Sequence, residues 1–281
     1  TPPSYTMLGS SGKKIRDIGN NNEYMGRYAG LPEKKFITVN SDGNLLNGYV
    51  ILPPGFRESQ KYPVIMWQYS GPGSQEVLNC WSLDWEYFAA KEGFIVACVD
   101  GRGTGSRGRE FETCVYRNLG YYETIDQLNA ARHMASLPYV DADRIGICGW
   151  SYGGYETLMA VSVPGNPYKA AVAIAPVTDW RYYDTVYAER YMLTPRANED
   201  GYNASAPLNK TADVDCALLI MSGTADDNVH PANTMEYVSR LQSDGILCDM
   251  LLFPNMNHSI NGCGARAVVY GKMIDFFKKN L

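Results

Sequence analysis

Apolar residues in this chain gather in short runs of strand length, separated by stretches with the 3.6-residue spacing of helices. Residues 34–39 and 45–52 flank the turn-rich Asn40-Ser41-Asp42-Gly43-Asn44, which predicts an antiparallel hairpin. The runs at 62–69, 94–99, 144–148, 170–174, 216–221 and 248–253 read as buried strands. Helical spacing marks 85–92, 124–137, a helix opening at Glu156, one near 231–243 and one near 265–279. After the hairpin the two types alternate, as they do in βαβ units with a parallel sheet covered by helices on both faces. The expectation is about eight strands, the first two antiparallel. Residues 1–33 have little periodicity and two turn-rich clusters, Gly9-Ser10-Ser11-Gly12 and Gly19-Asn20-Asn21-Asn22. They read as a lead-in with fragments of strand or helix, and residues 34–281 as one α/β domain.

The stretch that carries chemistry is Gly149-Trp150-Ser151-Tyr152-Gly153-Gly154-Tyr155, between a predicted strand and a predicted helix. Glycines on either side let strand and helix close on a tight turn, which pushes the serine hydroxyl beyond the sheet. A serine nucleophile needs a base, and the base needs an orienting acid. The chain has three histidines. His258 follows the last predicted strand, where ligands collect in parallel sheets, and is the preferred base. His230 is a minor alternative at a helix start, and His133 reads as structural. The acid is expected after strand 216–221, where Asp226 and Asp227 both stand, and position does not choose between them. The backbone N–H of Tyr152 and the hydroxyl of Tyr69 are the candidate oxyanion donors.

Composition narrows the field. The 281 residues carry a net charge of -5 without a basic block, which argues against nucleic acid. No apolar run is long enough to span a membrane. Seven cysteines without paired spacing make no disulfide framework, although one bridge is allowed; Cys98, Cys148 and Cys216 read as small buried hydrophobes. No spacing suggests a metal site, and no cofactor is expected. Gly103-Thr104-Gly105-Ser106-Arg107-Gly108 fits Gly-x-Gly-x-x-Gly. It lacks an immediate helix and a strand bearing the expected acid, so it reads as a demanding turn rather than a dinucleotide site. The chain starts at Thr1 without a signal peptide, and reads as a processed product or excised piece whose localisation is unknown.

With these residues assembled, the chain resembles the catalytic domain of the prolyl oligopeptidase family of serine peptidases, and most of all its dipeptidyl peptidase IV branch. The likeness rests on the elbow and on Asp100-Gly101-Arg102-Gly103, Ala175-Pro176-Val177-Thr178-Asp179-Trp180, Tyr182 to Tyr187, Glu189-Arg190-Tyr191-Met192, and Gly223-Thr224-Ala225-Asp226-Asp227-Asn228-Val229-His230. It implies an α/β-hydrolase fold, the triad Ser151, Asp226 and His258, and Tyr69 as oxyanion tyrosine. It implies a proline pocket of Tyr152, Val177, Trp180, Tyr183, Tyr187 and Val229, whose residues would otherwise read equally well as helix packing. Asn228 corresponds to a side chain that polarises the carbonyl before the proline, and Arg190 to an arginine of the same region. Arg181 departs from the pattern by standing where an acid is common. The implied activity is release of N-terminal dipeptides after a penultimate proline or alanine through an acyl-enzyme. The rivals are oligopeptidase or acylaminoacyl peptidase activity, an esterase on the same fold, and an inactive fragment. Family members carry a β-propeller ahead of this domain, and nothing here resembles one; residues 1–33 look like its last strand and linker. The resemblance leaves a homodimer open and implies a parent protein that is periplasmic, secreted or membrane-anchored.

Overall fold

A computed structural model describes residues 2–26, 28 and 30–281; Thr1, Arg27 and Ala29 of the lead-in lie outside the described residues. In chain order the elements are β1 (Tyr5–Leu8), β2 (Lys14–Gly19), α1 (Asn22–Gly26), β3 (Lys34–Ser41), β4 (Asn44–Ile51), β5 (Tyr62–Trp67), α2 (Trp85–Lys91), β6 (Ile95–Asp100), α3 (Arg109–Thr113) and α4 (Tyr121–Ala135). There follow β7 (Val140–Trp150), α5 (Tyr152–Val161), β8 (Ala170–Ile174), α6 (Thr185–Met192), α7 (Glu199–Ala204), β9 (Ala217–Gly223), α8 (Ala232–Ser243), β10 (Asp249–Phe253) and α9 (Ala265–Asn280).

Strands β3 to β10 form one eight-stranded sheet in the order β10-β9-β8-β7-β5-β6-β4-β3. β4 pairs antiparallel with both β3 and β6, and the other pairings are parallel, so β4 alone runs against the rest. The central strands are apolar through their middles, where both faces are covered. In β6, Ile95, Ala97 and Val99 face a core built with α4, α5 and α8, whereas Val96 and Cys98 face one built with α2 and α9. The same period of two runs through β5 and β8. Cys98 and Cys148 are buried as expected; Cys216 is only half-buried, one residue ahead of β9. All seven thiols are free.

The parallel strands all end on one side. There, the loops after β5, β6, β7, β8, β9 and β10 bring together Tyr69, the segment from Asp100, Ser151, Val177, Asp226 and His258. The lead-in differs from a shapeless run: β1 and β2 pair as a separate antiparallel ribbon, and every residue of both strands is exposed.

Candidate active site

The turn at the end of β7 places Ser151 at φ 60°, ψ -116°, a backbone state that costs a non-glycine residue about 1–3 kcal/mol. The surroundings enforce it. The Ser151 N–H donates to the Ile174 carbonyl at 2.8 Å, and its carbonyl accepts from the Tyr155 N–H at 2.9 Å. Gln68, at the end of β5, donates from Nε2 to the Gly153 carbonyl at 2.7 Å and to Thr157 Oγ1 at 3.2 Å. A Cβ on Gly153 would run into the Gln68 carbonyl oxygen, so only glycine lets α5 approach β5 this closely.

Asp226 and His258 meet. Asp226 is buried, and its Oδ1 accepts from the N–H groups of Asn228 at 3.0 Å and Val229 at 2.9 Å. Its Oδ2 lies 2.7 Å from His258 Nδ1. With Oδ1 filled by donors, Oδ2 accepts from Nδ1–H, which leaves Nε2 as the basic nitrogen. The His258 loop is tied to the elbow, since Trp150 Nε1 donates to the His258 carbonyl at 3.0 Å. Arg266 lies over the Trp150 ring and donates to the Ser259 carbonyl at 2.8 Å. The alternatives are elsewhere. Asp227 is exposed, His230 uses Nδ1 to accept from the Ala232 N–H at the start of α8, and His133 is half-buried along α4.

Tyr69 is half-buried and lines the same pocket as Ser151. Burial raises its pKa against the lowering effect of the neighbouring Ser151 hydroxyl, so the phenol remains a proton donor at neutral pH. The loop carrying it is braced by the Gly-x-Gly-x-x-Gly segment. Gly73 N–H donates to the Gly103 carbonyl at 2.9 Å, and Gly105 N–H to the Ser74 carbonyl at 2.8 Å. The buried Asp100 carboxylate accepts from the N–H groups of Glu76 and Val77. One expectation is corrected here: the short helix α3 does open directly after Gly108. Yet the Gly103 N–H is spent on the Phe111 carbonyl and that of Gly105 on Ser74, so neither is left to cradle a phosphate. Among the described residues, no three His, Cys, Asp or Glu side chains gather as metal ligands.

Beside Ser151 opens a pocket lined by Tyr69, Tyr152, Val177, Trp180, Tyr183 and Tyr187. Trp180 stacks on Tyr187 at 5.8 Å between ring centroids, and Tyr183 meets Tyr187 edge-on at 5.3 Å. Val229 is buried in the same apolar cluster. Asn228 stands at the rim and accepts from the Tyr183 hydroxyl at 3.0 Å. Arg190 is exposed and lines a neighbouring groove with Pro72, Tyr116 and Tyr191, outside the aromatic pocket. Arg181 turns away, pairing with Asp179 at 3.0 Å and with Asn203 at 2.7 Å, so it brings no charge into the pocket.

Sequence reasoning missed Gln68, the bracing role of Asp100 and a buried acid, Glu123, whose Oε1 accepts from the Tyr152 hydroxyl at 2.8 Å. Asp100 had a signal in its motif; Gln68 and Glu123 had none, because a lone polar residue in an apolar segment does not announce its partner.

The chain matches the prolyl oligopeptidase family over residues 81–281. It is 45% identical over 247 residues to "Probable dipeptidyl-aminopeptidase B" of Phaeosphaeria nodorum, covering 86% of this chain and 27% of that protein. It is 44% identical over 275 residues to a protein of the same name from Pyrenophora tritici-repentis, covering 94% and 31%. The crystal structure of Porphyromonas gingivalis dipeptidyl peptidase 4 superposes with a TM-score of 0.96 at 44% identity, over 100% of this chain and 40% of that one. The chain therefore spans less than a third of the two dipeptidyl-aminopeptidase B relatives and two fifths of the crystallised one.

Proposed function

This chain belongs to the prolyl oligopeptidase family and has its α/β-hydrolase fold, and we propose that it is the catalytic domain of a serine dipeptidyl peptidase. The observation that carries the reading is that Ser151 lines the same pocket as Trp180, Tyr183 and Tyr187. A nucleophile there is offered a carbonyl whose preceding ring sits among flat aromatic faces, which suits proline and admits alanine. In the mechanism, Ser151 Oγ attacks the carbonyl carbon while His258 Nε2 takes its proton. Asp226 holds the imidazole tautomer and stabilises its charged form. The Tyr69 hydroxyl and the Tyr152 N–H receive the oxyanion. His258 then returns the proton to the leaving amine, and water releases the acyl group by the same route. Asn228, at the rim, is placed to meet the carbonyl that precedes the proline.

The greater length of the relatives supports a further domain in the whole protein. In this reading it is a β-propeller whose acids hold the substrate's free amino terminus, in a parent exported from the cytoplasm. Hydrolysis of Gly-Pro-p-nitroanilide against Gly-Leu-p-nitroanilide, with Ser151→Ala as control, tests the proposal. Preference for the ring and loss of turnover in the variant are expected. Turnover by Ser151→Ala, or equal rates on both substrates, would overturn it. An N-blocked Gly-Pro substrate shows whether amino-terminal selection resides on this domain; preference for the blocked form would favour an oligopeptidase.

A further inference from the structure

Behind the pocket lies a group of buried acids that the mechanism above does not use. Glu123, in the first turn of α4, is fully buried and takes the Tyr152 hydroxyl on Oε1. Tyr152 is at once a wall of the pocket and the residue whose N–H faces the oxyanion. Its own side chain is fully packed, touching Tyr155 and Trp180 at ring distances of 5.1 and 5.4 Å. We propose that Glu123 is a positioning residue: gripping the Tyr152 hydroxyl from behind, it sets the pocket wall and with it the affinity for a substrate ring. The inference rests on the proline-pocket reading above.

The acceptor is suited to act as a variable grip. A carboxylate accepts a hydroxyl roughly twice as strongly as a neutral acceptor does. Burial pushes the Glu123 carboxyl up to about 7, while the nearby backbone N–H groups at the start of α4 and the Tyr152 hydroxyl favour its ionised form; the Tyr152 hydroxyl bonds Oε1, and Oε2 has no hydrogen-bond partner among the described residues. The groups facing it are Asp126 on α4, Tyr152, Tyr155 and Glu156 on α5, Tyr187 on α6, and Cys114. None of these carries a positive charge. The cation of this neighbourhood, Arg102, is committed to Asp126 at 2.7 Å. Glu156 is buried with neither oxygen hydrogen-bonded, and the Thr124 hydroxyl beside it falls outside bonding geometry. Burial and the proximity of Glu123 push the Glu156 carboxyl well up, which favours its neutral form beside Glu123. The wall is thus held more firmly above neutrality, where Glu123 is ionised, than below it.

An N-acetyl-aminoacyl pyrrolidide presents the ring and has no titrating group of its own. Its affinity is to be measured calorimetrically between pH 6 and 8 for the wild-type chain, Glu123→Gln and Tyr152→Phe. The wild type should bind several-fold more tightly at pH 8 than at pH 6. Glu123→Gln should bind about fivefold more weakly at pH 8 and lose most of that pH response; Tyr152→Phe should match it. A variant that keeps the wild-type affinity and pH response overturns the proposal. Fluorophosphonate labelling of Ser151, which needs no ring in the pocket, should fall less in Glu123→Gln than pyrrolidide affinity does; an equal fall overturns it. If the wild type binds no pyrrolidide, the proline-pocket reading fails, and infrared difference spectra between pH 6 and 8 judge Glu123. A tyrosine ring mode that shifts in the wild type and in neither variant supports the grip, and its absence overturns it.

Discussion

Ser151 occupies a backbone state it would not choose, and single neighbours hold it there. Gly153 is the clearest. Alanine at this position would drive its Cβ into the Gln68 carbonyl oxygen, so α5 must move away from β5. Gly153→Ala should therefore lose turnover while unfolding at lower denaturant, measured by chemical denaturation alongside hydrolysis. Asp226→Asn makes a different point. An asparagine can still accept from the N–H groups of Asn228 and Val229, but it offers His258 Nδ1 a donor where an acceptor stood. The imidazole would take the wrong tautomer, and kcat should fall by ~10⁴-fold with stability nearly unchanged. Tyr69→Phe removes one oxyanion donor and keeps the ring. It should lower kcat by ~10²–10³-fold and leave KM close to its starting value, as read from initial rates over a substrate series.

Between elements, the decisive structure is the bracing of the loop after β5 by the loop after β6. Asp100 ends β6, and its carboxylate collects two N–H groups from the chain that follows Tyr69. Asp100→Ala would leave those donors buried and unpaired, at a cost of about 1–3 kcal/mol each. The variant should lose stability and, because Tyr69 rides on that loop, lose more in kcat than in KM. How far the sequence foretold these elements follows from what each buries. Strands β5, β6, β8 and β9 were legible because both faces are covered and the runs are largely apolar. β7 begins at Val140 rather than at residue 144 because Asp141, Asp143 and Arg144 break its apolar run, and the edge strand β10 showed itself by Met250 to Phe253 although its first residues are exposed. The elbow was legible because its glycines are required by contact. Helix α4 begins at Tyr121 rather than at residue 124, because Glu123, Thr124, Asp126 and Gln127 are polar yet buried and mask the periodicity. The β1–β2 ribbon was illegible because it buries nothing and is held by local pairing alone. The pocket-facing Tyr183, just ahead of α6, and Tyr187, within it, had the spacing of ordinary helix packing, and only the family likeness separated the two readings.

Across the whole molecule, the buried acids tie stability to pH in an unusual direction. Burial lifts Glu76 and Glu123 to about 7, and raises Asp100 and Glu156 as well. A carboxyl whose folded pKa exceeds its unfolded one binds more protons in the native state. Its contribution favours folding below the unfolded pKa and is lost as pH rises through the folded one. For Glu123 the window runs from the ordinary 4.5 to about 7, which corresponds to about 3 kcal/mol at full span. The opposite leaning of Asp17 and Asp141, drawn down by Lys14 and Arg144, belongs to exposed pairs that solvent screens. The fold should therefore weaken between pH 5 and pH 8, a range in which paired surface carboxylates are already ionised. Glu123→Gln isolates one share of this effect, because glutamine does not titrate. Whatever the substitution does at pH 5, the Tm of Glu123→Gln should climb relative to the wild type by about 5 °C on going to pH 8. A gap in Tm that stays constant over the range would mean that Glu123 does not change charge there. The same carboxyl that firms the pocket wall would then keep one charge state throughout, and the binding of a ring would have no reason to follow pH through it.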